Sequence, residues 1–353
     1  MTYELIEAKR TKPRSAFQAV RRALSAVLCT AVLAGLAVVA VACLHGGFLG
    51  AITSPWMFQY LIAFCVAAAL TLVCGARRTF LLGLIGILWT GALAVPAMIA
   101  SPPTSRQGAA SAVRCRVLDA NVLYGNPPSE EALAWIADTD ADVVVLVECS
   151  ERWAAAMNKL TARYPHQLVR PANDPRGISL YSRHRISAQA VRRAPAGVLP
   201  FLDVIVHLPD AEVRVVAVHP VAPSSPRAVT SRNAELAWLA EQCAATELPL
   251  IVTGDFNETP YGAAYRLFER DSGLVSARGG FGRAPTWPSQ INGRAIPEWL
   301  RIPIDHCFAS AHFTTTSFTV GPHIGSDHRP IVIDLACAKT SASPVPSAPL
   351  ANR

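Results

Sequence analysis

Eight residues of this chain combine reactive chemistry with a telling placement. Asn121 closes an apolar run (VRCRVLDA, 113–120), Glu148 closes another (DVVVLV, 142–147) and His219 a third (VRVVAV, 213–218). Gly254-Asp255-Phe256-Asn257 follows LPLIVT directly, Asp305-His306 lies in RIPIDHCF, and Ser326-Asp327-His328-Arg329-Pro330 leads into PIVIDL. Carboxylate and amide oxygens suit a hard cation, and imidazoles exchange protons near neutral pH. Polar groups at the ends of several apolar strands are what a pocket at one edge of a sandwich requires. Singly, each has a plainer reading: an Asp or Asn at a strand end is commonly a turn-former, and a lone histidine such as His219 is commonly structural. Eight such residues in this order are not explained that way.

The elements that must position them alternate strands with helices. Strands are expected at 113–120, 142–147, 178–182, 202–207, 213–218, 248–253, 303–308, 315–320 and 330–335. Helices are expected at 129–137 with Ser129 as N-cap, at 151–163 after Ser150, and at 227–245 after Ser225 and Pro226. Many strands with few helices imply an α+β domain of sheets packed face to face with helices outside. Residues 101–112 (SPPTSRQGAASA) read as a linker and 339–353 as a disordered tail. The domain between them, 113–338, is long enough for one substantial core.

The first hundred residues are different material. No Asp, Glu, Lys or Arg occurs between Arg22 and Arg77, nor from Thr79 to Ser105. About 20 apolar residues cross a bilayer core, and 24–44, 57–75 and 79–99 qualify, giving three transmembrane helices within 24–100. A cleaved signal peptide is the alternative for the first, but its apolar stretch is long for one. Lys9, Arg10, Lys12, Arg14, Arg21 and Arg22 precede the first span, and Arg77-Arg78 fills the turn between the second and third. Positive flanks belong on the cytoplasmic side. Segment 1–23 is thus cytoplasmic and everything beyond residue 100 lies outside the cytoplasmic membrane.

The net charge of +7 belongs to that anchor: residues 106–353 hold 24 bases and 23 acids. A nucleic-acid footprint should show as charge on the binding domain itself, so the basic balance says almost nothing about substrate. Cys115, Cys149, Cys243, Cys307 and Cys337 lie beyond the spans, with no CxxC or Cys/His spacing that suggests zinc. One or two disulfides are open to them in an oxidising compartment; burial as small hydrophobes is the simpler reading.

With those motifs in view, the sequence resembles the endonuclease/exonuclease/phosphatase superfamily. The resemblance rests on LDANVLYGN (118–126), VVVLVECS (143–150), AVHP (217–220), VTGDFNETP (252–260), TW (286–287), PIDH (303–306) and GSDHRPIVI (324–332), and three apolar segments ahead of such a domain look like a bacterial membrane-anchored branch. GDFN followed about 70 residues later by SDHRP is the specific part. The resemblance implies a four-layer α/β/β/α sandwich and metal-dependent hydrolysis of phosphodiesters or phosphomonoesters, nuclease-like, by in-line attack of water.

It also implies roles. Glu148 leads as ligand to Mg²⁺, or Mn²⁺, with Asn121 and Asp327 nearby. Asp255 and Asn257, two apart across a tight turn, address the attacking water. His328 donates to the scissile phosphate with Asp305 fixing its tautomer and raising its pKa, and His219 is the second donor or the acid for the leaving oxygen. The carboxylate partner usual for that histidine is not identifiable in the sequence. Leu123 stands where repair-type relatives carry an acid, which speaks against a second metal. Arg176 and Arg329 lie in or beside motifs and could contact phosphate; Thr286-Trp287 supports the site by packing, and His306 and His323 read as structural. The partners implied are a phosphate-ester substrate (nucleic acid, lipid headgroup or small phosphoester) and the bilayer; no obligate protein partner is evident. The place implied is the bacterial inner membrane, with the catalytic domain on its periplasmic or extracytoplasmic side. A lipid-headgroup phosphodiesterase or phosphatase, and a catalytically silent envelope module, are the competing readings. Loops 165–177, 191–201 and 278–302 are the candidates for specificity.

Overall fold

The computed structural model describes residues 12–44, 46–99 and 113–337, with side chains from Phe17 onward. The first eleven residues of the expected cytoplasmic segment, the linker 101–112 and the tail 339–353 lie outside the described residues. The chain divides into a helical unit ending at Ala97 and a sheet-rich unit beginning at Met98.

The helical unit comprises α1 (Lys12–Leu44), the short α2 (Phe48–Thr53), α3 (Met57–Val73) and α4 (Arg77–Ala94). Three stretches, Phe17–Leu44, Phe48–Val73 and Arg77–Ile99, are long and apolar enough to cross a membrane. Small residues let apolar helices approach one another closely. Gly86 shows this: a Cβ there would meet the Phe64 ring at 2.4 Å. The Thr71 and Thr90 hydroxyls turn back on their own helices, donating to Ala68 O at 2.8 Å and Gly86 O at 2.7 Å.

The sheet-rich unit has four layers. One six-stranded sheet runs β13-β14-β1-β2-β4-β3 and the other β5-β6-β7-β8-β12-β9. The first contains β1 (Val113–Asn121), β2 (Val143–Val147), β3 (His166–Arg170), β4 (Ile178–Ser182), β13 (Phe313–Val320) and β14 (Ile331–Cys337). The second contains β5 (Ile186–Arg192), β6 (Phe201–Leu208), β7 (Ala211–Val218), β8 (Leu250–Asp255), β9 (Val275–Ser276) and β12 (Asp305–Ala309). A small hairpin, β10 (Gln290–Ile291) with β11 (Arg294–Ala295), stands apart. Helices α5 (Glu130–Asp138) and α6 (Glu151–Met157) cover the first sheet, packing Leu133, Ile136 and Trp153 on Leu118, Val144 and Leu146. Helices α7 (Pro226–Ala244) and α8 (Ala263–Ser272) cover the second, packing Leu236, Leu239 and Phe268 on Val216, Val252 and Phe308. Ser129, Ser150 and Ser225 cap α5, α6 and α7, each accepting from the amide three residues on.

Two expectations are corrected. Helix α6 stops at Met157 and passes through a 3₁₀ turn, Asn158–Leu160, rather than reaching 163; Tyr164 precedes Pro165, which disfavours helical backbone there. Helix α8 and strands β3 and β5 were not anticipated. The two strands edge their sheets, so half their residues face water and the apolar alternation is diluted. Among the described residues no disulfide joins any cysteines, and the five in this unit are buried.

Each sheet holds one parallel pair, β1 with β2 and β7 with β8, flanked by antiparallel strands. This topology brings the carboxyl ends of four strands and the amino ends of β4, β12 and β14 to matching edges. Pairings such as Asp305 with Asp255 and Ile178 with Val147 fix the register.

Candidate active site

Side chains alternate along a strand, and the alternation here decides where the polar residues go. Val113, Cys115 and Val117 of β1 enter the core between the sheets, so Asp119 and Asn121 continue the same inward row. Val213, Val215 and Ala217 continue to His219, Ile251 to Thr253 and Asp255, and Ala309 and Cys307 back to Asp305. The intersheet core therefore ends in a polar layer at one edge, and all these polar residues are buried.

Within that layer Asn121 ties two carboxylates together. Its Nδ2 donates to Glu148 Oε1 and to Asp255 Oδ2, both at 3.1 Å, while its Oδ1 accepts the Leu123 amide at 3.0 Å. That amide fixes the orientation, because an N–H needs an acceptor. The Tyr124 amide donates to Glu148 Oε2 at 3.3 Å. Asp255 Oδ1 accepts the Asn257 amide at 2.8 Å, and Asn257 Nδ2 donates to Pro220 O at 3.0 Å. Leu123, Glu148 and Asn257 all have positive φ, at 57°, 56° and 49°. Left-handed backbone at non-glycine residues is sparsely populated and concentrates where the surroundings enforce it. Gly254 has φ 149°, and a Cβ there would sit 1.9 Å from Val218 O, so only glycine lets β8 approach β7 at this point.

His328 lies between two acids. Its Nδ1 is 2.9 Å from Asp305 Oδ2 and its Nε2 3.6 Å from Asp255 Oδ2. Burial works against the imidazolium, but Asp305 and then Asp255 outweigh it and push His328 up to about 10. Burial likewise drives Asp255 upward against the two histidines. His219 Nε2 stands 3.7 Å from Asp255 Oδ2 and 3.9 Å from Glu148 Oε1, and its Nδ1 meets Pro175 O at 3.0 Å. Asp327 accepts from Trp287 Nε1 on Oδ2 at 3.0 Å, while its buried Oδ1 has no hydrogen-bond partner.

The structure thus brings Asn121, Glu148, His219, Asp255, Asp305 and His328 into one set of contacts, with Asn257 joined through the Asp255 turn. Asp327 is adjacent in sequence to His328. Arg176 and Arg329 engage partners outside this set. The Arg176 guanidinium pairs with Asp174, and Arg329 Nη1 donates to Gly321 O at 3.2 Å. Asp255, Asp305 and His328 offer atoms within 4.8 Å of one another, an arrangement that could hold a metal ion. The imidazole is already committed to Asp305, however, which favours a hydrogen-bonded dyad. Glu148, with Asn121 beside it, and the unsatisfied oxygen of Asp327 are the harder donors.

Three contributors escaped the sequence reading. Asp119 lies beneath the site, 1% exposed, with Thr253 as the polar side chain beside its carboxylate. Burial, with Asp305 and Asp255 adding to it, raises its pKa well above the carboxylate range. Its position two before Asn121 on one strand was the available signal. Ser326 Oγ donates to Asn121 O at 2.7 Å and accepts the His328 amide at 3.1 Å, joining the β1 end to the SDH loop. Pro175, whose carbonyl meets His219, is 44 residues away and left no local signal. His306, read from the sequence as structural, is buried; burial lowers its pKa to about 3, and its Nε2 meets Glu258 O at 2.9 Å.

A family model described as "Endonuclease/Exonuclease/phosphatase family" matches residues 120–328, and the chain belongs to that family. Its members are generally hydrolases of phosphoester bonds. The fold is similar to that of an endonuclease/exonuclease/phosphatase from Beutenbergia cavernae, at 22% identity and TM-score 0.51 over 64% of this chain and 72% of that one. It is also similar to D. rerio TDP2 complexed with a single-strand DNA product, at 16% identity and TM-score 0.54 over 63% and 98%. Truncated Caenorhabditis elegans TDP2 matches at 15% identity and TM-score 0.52 over 63% and 97%. No curated protein sequence matches the chain.

Proposed function

We propose that this protein is a membrane-anchored, metal-dependent phosphoesterase that cleaves phosphodiester, or phosphomonoester, bonds by in-line attack of water. The observation that carries the reading is His328 set between Asp305 and Asp255, with Asn121 linking Asp255 to Glu148. Such a row offers a cationic donor, a base and a hard-cation ligand within one layer.

Glu148, with Asn121 and Asp327 beside it, would hold the cation, Mg²⁺ or Mn²⁺. When bound, such an ion neutralises charge on a phosphate oxygen and on the leaving group. The chain's own groups do the rest. Asp255, poised by burial and braced by Asn121 and the Asn257 amide, accepts the proton of the attacking water, while Asn257 orients that water. His328, held as imidazolium by Asp305, donates to the phosphate. His219, with Nδ1 fixed on Pro175 O, turns Nε2 toward Asp255 and Glu148 and serves as second donor or as acid for the leaving oxygen. Arg176 and Arg329 remain candidates for phosphate contact through side-chain movement.

The positive flanks of the apolar helices support anchoring in a bacterial inner membrane with the site on the periplasmic side. A nuclease-like diesterase is the leading substrate class, since one fold relative was solved with a DNA product. A near-neutral domain gives little electrostatic drive for extended duplex binding, which keeps a lipid headgroup or small phosphoester in contention. The full chain in detergent, supplied with Mg²⁺ or Mn²⁺, is expected to hydrolyse bis(4-nitrophenyl) phosphate, with Asp255→Ala and His328→Ala each losing on the order of 10²–10⁴-fold. Undiminished turnover in either variant would refute the assignment. Plasmid DNA, single-stranded DNA and phospholipid or sphingomyelin vesicles assayed side by side then rank the substrates.

A further inference from the structure

Beneath the Asp255–Asn257 turn lies a buried cation that none of the roles above uses. Arg232 of α7 is 1% exposed. Its Nη1 donates to Asn257 O at 2.6 Å and its Nη2 to Glu258 Oε2 at 2.7 Å, with Asn233 Oδ1 also accepting from Nη2 at 3.0 Å. Glu258 is 2% exposed and takes the Thr259 amide on its other oxygen at 2.9 Å. Its backbone carbonyl meets His306 Nε2 at 2.9 Å, next to Asp305.

Taking a guanidinium and a carboxylate out of water carries a large desolvation penalty, and well-packed apolar residues often replace such pairs without loss of stability. Stability alone is therefore a poor reason for this pair on a helix that otherwise packs Leu236 and Leu239. Its geometry suggests another. A guanidinium fork holds its donors on separate nitrogens in a fixed plane, so Nη1 serves the carbonyl while Nη2 serves the carboxylate at a spacing a single ammonium nitrogen does not reproduce, and the carbonyl belongs to Asn257, whose backbone is left-handed at φ 49°. The same turn is fixed on its other sides by Asn257 Nδ2 on Pro220 O and by the Phe256 amide on Ile304 O.

We infer that Arg232 and Glu258 form a positioning clamp, which sets the turn so that Asp255 and Asn257 address one water. This rests on the phosphoesterase reading for its catalytic consequence but not for its structural one. The test uses the full chain in detergent with Arg232→Met/Glu258→Met, which removes both charges together, and Arg232→Lys, which keeps the charge and loses the fork.

The clamp predicts that kcat on bis(4-nitrophenyl) phosphate falls about 100-fold in the double variant, the scale expected of a misplacement near 1 Å. KM should stay within about twofold and the melting temperature close to the parent's, and Arg232→Lys should lie between. Amide exchange should quicken at residues 255–258 while 143–147 keeps its protection. Parental kcat together with parental exchange at 255–258 in the double variant overturns the clamp. So does a kcat loss accompanied by uniform loss of protection. If the double variant does not fold, exchange at 255–258 in Arg232→Lys decides by the same criterion. If the parent protein hydrolyses no phosphoester, the functional reading fails while exchange still judges the clamp.

Discussion

His219 Nδ1 lies 3.0 Å from the carbonyl oxygen of Pro175. A carbonyl can only accept, so Nδ1 carries the hydrogen, and Nε2 is the nitrogen presented to Asp255 and Glu148. The loop carrying Pro175 therefore fixes which nitrogen of this histidine, just beyond the end of β7, faces the acids, a role a carboxylate fills for His328. The two histidines differ in consequence: one has an acid behind it, the other a neutral dipole.

This difference should show in leaving-group dependence. If His219 protonates the departing oxygen, His219→Gln should cost about 10²-fold or more on an alkyl phosphodiester. It should cost much less on a 4-nitrophenyl ester, whose leaving group needs no proton. Comparison of kcat for the two ester classes decides it. Equal losses on both would assign His219 to phosphate binding instead.

The pH profile follows from the two buried acids and the histidine between them. Turnover needs Asp255 without its proton and His328 with one. Burial raises Asp255, so the rate should climb with pH through a range above the ordinary aspartate value of about 3.9. His328, held up to about 10 chiefly by Asp305 against its burial, should stay protonated until strongly alkaline pH. Asp305→Asn removes the main charge supporting the imidazolium, so the alkaline limb should move down by more than about one pH unit. An unmoved limb in that variant would show that another group controls it.

Glu235 on α7 offers a stability test on a group that plays no part in the proposed chemistry. It is 3% exposed, its Oε2 has no hydrogen-bond partner, and burial pushes it up to about 8, with Arg193 opposing. The folded state thus holds this proton more tightly than the unfolded chain does. Its favourable contribution is complete below the unfolded value of 4.5 and is lost as pH rises toward 8. Glu235→Gln should match the parent near pH 4.5 and exceed it near pH 8 by on the order of 3 kcal/mol. Thermal melts of both proteins across that range measure the difference, and parallel curves would contradict it.

Gly254→Ala should damage fold and site together. The new methyl would meet Val218 O at 1.9 Å, forcing β7 from β8 where His219 and Asp255 emerge. A destabilisation of at least about 2 kcal/mol is expected, with a lower melting temperature and a loss of turnover greater than the unfolded fraction explains. Normal kcat in folded protein would argue that the approach is not needed for catalysis.

Much of this was legible in the sequence, for identifiable reasons. Strands buried on both faces, such as VVVLV in β2, carry continuous apolar runs, and serine caps mark α5, α6 and α7. Asn121, Glu148, His219, Asp255 and Asp305 showed because each sits where such a run stops or starts. The edge strands β3 and β5 share their residues with solvent and lost that contrast. Helix α8 did leave a signal, Ala264, Tyr265 and Phe268 on one face and Gly273 in left-handed backbone after its end, but it follows closely on the GDFN motif. Pro175 and Arg232 act through a backbone carbonyl and a guanidinium fork brought from distant segments, and no local pattern announces such contacts.

The inward row that fills the space between the sheets and the row that ends in Asp119, Asn121, His219, Asp255 and Asp305 are one and the same. A strand shifted by a single residue would turn its inward valines toward the covering helices and its reactive group away from the others in the same movement. Packing of the intersheet core and assembly of the site are therefore one requirement on the register of the strands, met or missed together.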